Sequence, residues 1–265
     1  MPAARTQEFL EFALDVIEGA GDIACKYFRT PIKVDEKGNG TIFDPVTVAD
    51  REIEAYIRDR ISAGYPDHSI LGEEADAYEG DSAYRWVIDP IDGTRSFISG
   101  SPLWGILLGL MEGDTCLLGI MHQPYIKETF TGSSAGAFLC QGADRRPVTT
   151  RRVRNLDEAT VYSTHPSMFK SEQDYARFLR VADRCRLMRY GGDCYSYCLL
   201  ACGFIDLVIE AGLAPYDIIP LIPIIERAGG MVTDWDGGPA ISGGNIIASA
   251  TSDLHELAVS ILNHN

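Results

Sequence analysis

The apolar run Trp86-Val87-Ile88 ends abruptly in Asp89-Pro90-Ile91-Asp92-Gly93-Thr94, and few architectures tolerate that transition. A run of this kind reads as a buried strand, yet an uncompensated charge in a protein interior is prohibitively costly. The two carboxylates must therefore arrive at the rim of a sheet, with Gly93 and Thr94 opening a helical turn beyond it. Taken alone, the segment has two readings. Carboxylates separated by a backbone carbonyl form an oxygen-rich site for a hard divalent cation, with free N–H groups of the following turn available to a phosphate. Alternatively, it is an Asp-Pro turn in which Asp92-Gly93 is an ordinary β-turn pair.

The 265 residues suffice for one large domain or two smaller ones around a sizeable core. Lys and Arg number 23 against 38 Asp and Glu, a formal net charge of −15. That surplus repels nucleic-acid phosphates and anionic lipid, so neither is expected as a partner. No apolar stretch approaches the roughly 20 residues that span a bilayer, and the first residues lack a signal-type apolar region; the expected location is cytoplasmic. The seven cysteines are odd in number and scattered, which argues against a disulfide framework. Cys194, Cys198 and Cys202 would line one helix face, but sulfurs strung along a helix do not surround a tetrahedral ion, so they are expected in the core.

Helical periodicity predicts a first helix over residues 6–28 and a second from Thr47, where Thr47 and Asp50 have capping-box spacing. Short strands are predicted at 68–71, 85–88, 104–111, 115–122, 127–131 and 137–139, with a hairpin at Glu112-Gly113-Asp114. The arginine-rich stretch from Arg145 to Arg154 reads as a solvated boundary, or as an anion site, between a half over residues 1–150 and a half over 151–265. The second half alternates: strands at 159–163, 186–189, 205–210, 231–233 and 245–249, helices at 172–184, 195–203, 217–228 and 252–262. This predicts layered sheets with helices packed on them, α+β or α/β.

Further carboxylates fall at element ends. Glu73 follows the strand at 68–71, and Asp217 stands at the start of an apolar helix, where capping is its plain role and is compatible with a second one. Asp50 has the same plain role beside Thr47. None of the five histidines has metal-ligand spacing with another; only His165, in a loop after the strand at 159–163, is placed as a pocket member.

Taken together, Asp44 to Asp50, Gly72-Glu73-Glu74, Asp89 to Phe97, and Tyr216-Asp217 to Ala228-Gly229-Gly230 resemble the inositol monophosphatase family of lithium-sensitive, Mg²⁺-dependent phosphomonoesterases. The resemblance spans nearly the whole chain. Asp92 to Gly100, Pro102-Leu103-Trp104-Gly105, Tyr190 to Tyr195 and Glu210 to Leu213 look most like its histidinol-phosphate phosphatase branch; the inositol-specific branch more often has Trp where Tyr216 stands. The resemblance implies an alternating αβαβα sandwich and a homodimer. It implies one Mg²⁺ on Glu73, Asp89 and the carbonyl of Ile91, a second on Asp89, Asp92 and Asp217, and a looser third near Glu73. Two ions about 4 Å apart suit in-line displacement at a phosphate monoester. Thr94, polarised by Asp50, would orient the attacking water with Glu73, while the N–H groups of Gly93 and Thr94, with Arg95 nearby, would bind phosphate.

The substrate side maps onto Asp92, Gly192, Asp193, Cys194 and Glu210. Negative charge at Asp193 and Glu210 suits an ammonium or imidazolium group, both present in L-histidinol phosphate, better than a neutral polyol. Trp104 is placed as a wall of this pocket, with a core tryptophan as the plain reading; Arg95 is otherwise a surface arginine. The expected activity is hydrolysis of L-histidinol phosphate in histidine biosynthesis. Inositol 1-phosphate, a sugar or a nucleotide phosphate is the alternative within the family, and a non-catalytic metal- and phosphate-binding regulator is the remote one.

Overall fold

A computed structural model describes residues 3–36 and 45–264. Asp44, where one of the quoted stretches begins, lies outside them. Among the described residues the chain builds a seven-stranded sheet, a five-stranded sheet and a two-stranded ribbon. The ribbon pairs β1 (Val34–Glu36) with β2 (Pro45–Thr47), and sequence reading missed both strands. Three-residue strands carry too little alternation to register as a pattern.

The first layer is α1 (Ala3–Tyr27) and α2 (Val48–Gly64). Their apolar stripes, Phe9, Ala13, Val16, Ile17 and Ala20 on one and Ile53, Ile57 and Ile61 on the other, close over one face of the large sheet. That sheet runs β3 (Ser69–Gly72), β4 (Tyr84–Asp92), β5 (Gly105–Glu112), β6 (Thr115–Gln123), β7 (Glu128–Ser133), β8 (Gly136–Gln141) and β9 (Asp144–Pro147), with β3 parallel to β4 and every other pair antiparallel. The expected hairpin is present, pairing Glu112 with Thr115. β9 was not expected: Asp144, Arg145, Arg146 and Pro147 form an exposed edge strand where the arginine-rich stretch was expected to begin as a solvated segment. Backbone pairing to β8 creates it, and no apolar face announces it.

The five-stranded sheet has the order β11 (Leu187–Tyr190), β10 (Thr160–Ser163), β12 (Leu207–Leu213), β14 (Gly244–Ser249), β13 (Met231–Asp234). Its outer face carries α4 (Glu172–Ala182) and α8 (Ser252–Asn263). Between the sheets lies a middle layer of α5 (Asp193–Ala201), α6 (Pro215–Ile218) and α7 (Ile222–Arg227), and one apolar cluster there joins Leu107, Met121 and Phe130 to Cys194, Cys198, Val208 and Ile246. The order of layers is αβαβα.

The single helix expected over 217–228 is instead two, α6 and α7. Pro220 and Pro223 lack the N–H groups a continuous helix needs. The broken segment lies directly on the large sheet because Gly109, Gly119 and Gly132 are cross-strand partners on β5, β6 and β7. A Cβ on Gly119 would lie 1.8 Å from Pro220 O, and one on Gly132 2.3 Å from Ile224 N. Only glycines let this backbone approach so closely.

Candidate active site

β4 runs out of the core and ends on its chemistry. Trp86, Val87 and Ile88 are fully buried, Asp89 is 2% exposed, and Asp92 closes the strand half-buried. The β4–β5 register shifts between Asp89 and Asp92, around Pro90. Ile91 N–H donates to Asp89 Oδ1 at 3.0 Å, and Thr94 Oγ1 donates to Ile91 O at 3.1 Å. Gly93, at φ 87°, turns the chain into the short helix α3, Thr94–Ser99 in sequence, which precedes β5.

Three other elements bring carboxylates to Asp89. The parallel register pairs Gly72 with Ile88, so one further step sets Glu73 beside Asp89. Thr47 caps α2: its N–H and hydroxyl donate to Asp50 Oδ2 at 2.8 and 2.5 Å, the expected capping box. Asp217, third residue of α6, accepts from Ala214 N–H at 2.8 Å, so it too caps its helix. Electrostatically these side chains form one group. Burial pushes the Asp89 carboxyl well above the usual carboxylate range, followed in effect by Glu73, Asp92, Asp217 and Asp50. Asp92 is pushed up as well, by burial and then by Asp217, Asp193 and Glu210, with the Cys194 thiol opposing.

On the opposite side, Gly191, Gly192 and Asp193 take consecutive positive φ values of 96°, 123° and 43°, a tight entry into α5. Asp193 Oδ2 accepts from Ser96 Oγ at 2.6 Å, and burial raises its pKa against the pull of Ser96 and Arg95. Arg95 itself is exposed. Glu210, on β12, accepts from Thr164 N–H at 3.0 Å and from Tyr197 Oη at 2.9 Å, and burial pushes it up to about 7. Gly192 and Cys194 are buried, with the Cys194 sulfur 4.0 Å from Asp92 O.

Trp104 is a correction. It is wholly buried, edge-on to Phe97 at 4.8 Å and tilted against Phe28 at 5.2 Å, so it is core and walls no open pocket. His165 is exposed and accepts from Ser167 N–H within its own turn. Sequence reading missed Ser96, Thr164 and Tyr197 as partners of Asp193 and Glu210. Tyr197 had a usable signal, since it lies one helical turn after Asp193.

Among the described residues, no three His, Cys, Asp or Glu side chains stand as a ready coordination shell. What fits Mg²⁺ is the chemistry of the donors: hard oxygens from the residue after β3, from β4 and from α6, gathered where burial first, and then their mutual repulsion, raise the Asp89 pKa; a divalent ion would offset that repulsion.

A sequence model of the inositol monophosphatase family matches residues 5–265. The chain belongs to the inositol monophosphatase family. It is thus a phosphatase of a metal-dependent family, and the αβαβα order is that family's fold. A bifunctional phosphatase IMPL2 of Arabidopsis thaliana is 38% identical, over 92% of this chain and 72% of that protein. A histidinol-phosphatase of Chlorobaculum parvum is 34% identical over 92% and 93%, and an inositol-1-monophosphatase of Synechocystis 30% identical over 95% and 88%. Among solved structures, an inositol monophosphatase from Zymomonas mobilis superposes with a TM-score of 0.86 at 34% identity, covering 97% of this chain and 98% of that one.

Proposed function

We propose that this member of the family hydrolyses L-histidinol phosphate to L-histidinol and phosphate. The observation that carries the reading is a pair of acidic groups, the half-buried Asp193 and the buried Glu210, whose charges both act on Asp92. A polyol's hydroxyls can donate to carboxylates but bring no charge to offset two acidic groups, whereas an amine or imidazolium supplies both the hydrogen bonds and the compensating positive charge. The Chlorobaculum parvum relative, named a histidinol-phosphatase, supports the same choice.

In this reading Glu73, Asp89 and the carbonyl of Ile91 hold one Mg²⁺, and Asp89, Asp92 and Asp217 a second. Bound there, the ions supply Lewis acidity toward the phosphate and lower the pKa of a coordinated water. The chain does the rest. Thr94 and Glu73 orient the attacking water, and Asp50 would polarise Thr94 once its hydroxyl turns away from Ile91 O, to which it donates in this structure. The N–H groups of Gly93 and Thr94, with Arg95, bind phosphate oxygens, while Asp193 and Glu210 fix the amine-bearing end. No side-chain nucleophile is required. The pocket works on a small phosphomonoester, and the assembly is a homodimer in the cytoplasm.

The test is kcat/KM for histidinol phosphate, inositol 1-phosphate, fructose 1,6-bisphosphate and a nucleoside monophosphate with purified protein. Histidinol phosphate should lead by at least about tenfold, and EDTA or Asp92→Asn should abolish turnover. Equal or better turnover of inositol 1-phosphate would overturn the substrate assignment.

A further inference from the structure

We infer that Glu54, with Arg58, is the positioning residue that sets Glu73 at the site, an inference that rests on the role proposed above for Glu73 as a Mg²⁺ ligand. Glu54 is 1% exposed and lies one helical turn after Asp50, on the same face of α2. Its carboxylate is spent on the turn that carries Glu73. Oε2 accepts from Glu74 N–H at 2.7 Å and Oε1 from Ala75 N–H at 3.1 Å. Arg58 completes the clamp: its Nε donates to Glu54 Oε1 at 2.7 Å, and its Nη2 donates to Ala75 O at 2.9 Å.

An independent observation shows how closely this pair is pressed against the turn. A Cβ on Gly72 would lie 2.3 Å from Glu54 Oε1 and 2.8 Å from Arg58 Nη2. Because Glu54 is held by three donors, it cannot swing aside, so the residue preceding Glu73 has no room for a side chain. The backbone on both sides of Glu73 is thereby fixed, by Glu54 and Arg58 after it and by the β3–β4 register before it. A plain intrahelical ion pair would leave a carboxylate oxygen free of the turn; here both are committed to it. One face of α2 therefore governs two of the five converging carboxylates, Asp50 directly and Glu73 through its loop. Groups that orient a ligand from behind are worth roughly 10–100-fold in metal affinity.

The experiment titrates Mg²⁺ into the full chain by calorimetry, below the onset of unfolding, for wild type, Glu54→Gln, Arg58→Lys, Glu73→Gln and the exposed control Glu79→Gln. The amide of Glu54→Gln turns a donor toward a backbone N–H, so its Mg²⁺ Kd should rise about tenfold or more. The Mg²⁺ concentration for half-maximal phosphatase activity should rise by a similar factor, with kcat recovering at saturating Mg²⁺. Arg58→Lys keeps the charge beside Glu54 but loses the fork to Ala75 O; it should weaken Mg²⁺ by a smaller factor and cover the case in which Glu54→Gln fails to fold. Glu79→Gln should change nothing. If Glu73→Gln weakens Mg²⁺ while Glu54→Gln and Arg58→Lys bind it as wild type does, the positioning role is overturned and the metal reading stands. If Glu73→Gln binds Mg²⁺ as wild type does, both are overturned.

Discussion

The Ser96 hydroxyl donates to Asp193 Oδ2 at 2.6 Å, tying the helix that opens at Thr94 to the loop that opens α5. In the proposed reading, the phosphate end and the alcohol end of the site are thus joined by a bond between residues 97 positions apart. With Oδ2 engaged, Asp193 is held in one orientation. Ser96→Ala should release it and lower kcat/KM for an amine-bearing phosphate about tenfold, mostly through KM, since a hydrogen bond to a charged group contributes roughly 1.5–3 kcal/mol. A neutral phosphomonoester should change less than twofold. Steady-state kinetics on the two substrates checks both.

Glu210 should impose a pH dependence. With its carboxyl pushed up to about 7 by burial, kcat/KM for an amine-bearing substrate should climb as pH rises through 7 and the carboxylate forms. Glu210→Gln should remove that limb. Stability should follow the opposite sense. A folded value above the unfolded one near 4.5 contributes stability that is complete below 4.5 and lost as pH rises through 7, about 3 kcal/mol in all. Glu210→Gln should therefore raise Tm at pH 8 and leave it nearly unchanged at pH 4.

Acid should destabilise the fold through His255. It is 3% exposed, its Nδ1 lies 3.0 Å from Ser249 Oγ and its Nε2 2.9 Å from Thr233 Oγ1, and burial pushes its pKa down to about 4. A depressed value means the stability is present above 6.5 and lost as pH falls toward 4, on the order of 3 kcal/mol. His122, also pushed down to about 4, contributes in the same sense. Tm measured between pH 7 and pH 4 should fall less steeply in His255→Gln than in wild type.

Arg151 should be the one arginine of its run that the fold cannot spare. It grips the fully buried Asp206 with Nε at 2.9 Å and Nη2 at 2.5 Å, while Thr160 N–H reaches Asp206 Oδ2 at 2.8 Å. Arg151→Ala leaves a buried carboxylate without its counter-charge, and denaturant melts should show a loss of roughly 3 kcal/mol. Arg152→Ala, an exposed neighbour, should fall within about 0.5 kcal/mol of wild type.

What could be read in advance was whatever a short window contains. The stripe of α1, the Thr47–Asp50 cap, the Glu112–Thr115 hairpin and the strand running into Asp89 and Asp92 are all local patterns, and each is present. Local windows failed where the decisive partner is distant. β9 exists because β8 offers it hydrogen bonds, and Trp104 is core because Phe28 and Phe97 flank it; the α6–α7 break, by contrast, had a local signal in Pro220 and Pro223. The same division runs through the site. Asp89 and Asp92 announce themselves, but Ser96 on Asp193, the Thr164 N–H on Glu210 and the Glu74 N–H on Glu54 come from elements distant in sequence.

The glycines Gly109, Gly119 and Gly132 give the large sheet a seat of fixed depth for the segment around Pro220. Asp217 rides on that segment, three residues before Pro220. A single methyl group on Gly119 would lift the segment outward and carry Asp217 away from Asp89 and Asp92. A side chain with no polar atom, placed where no substrate reaches, would thus read in an inactivation screen as the loss of a carboxylate. The reach of an acidic group in this protein is set by the absence of carbon beneath it.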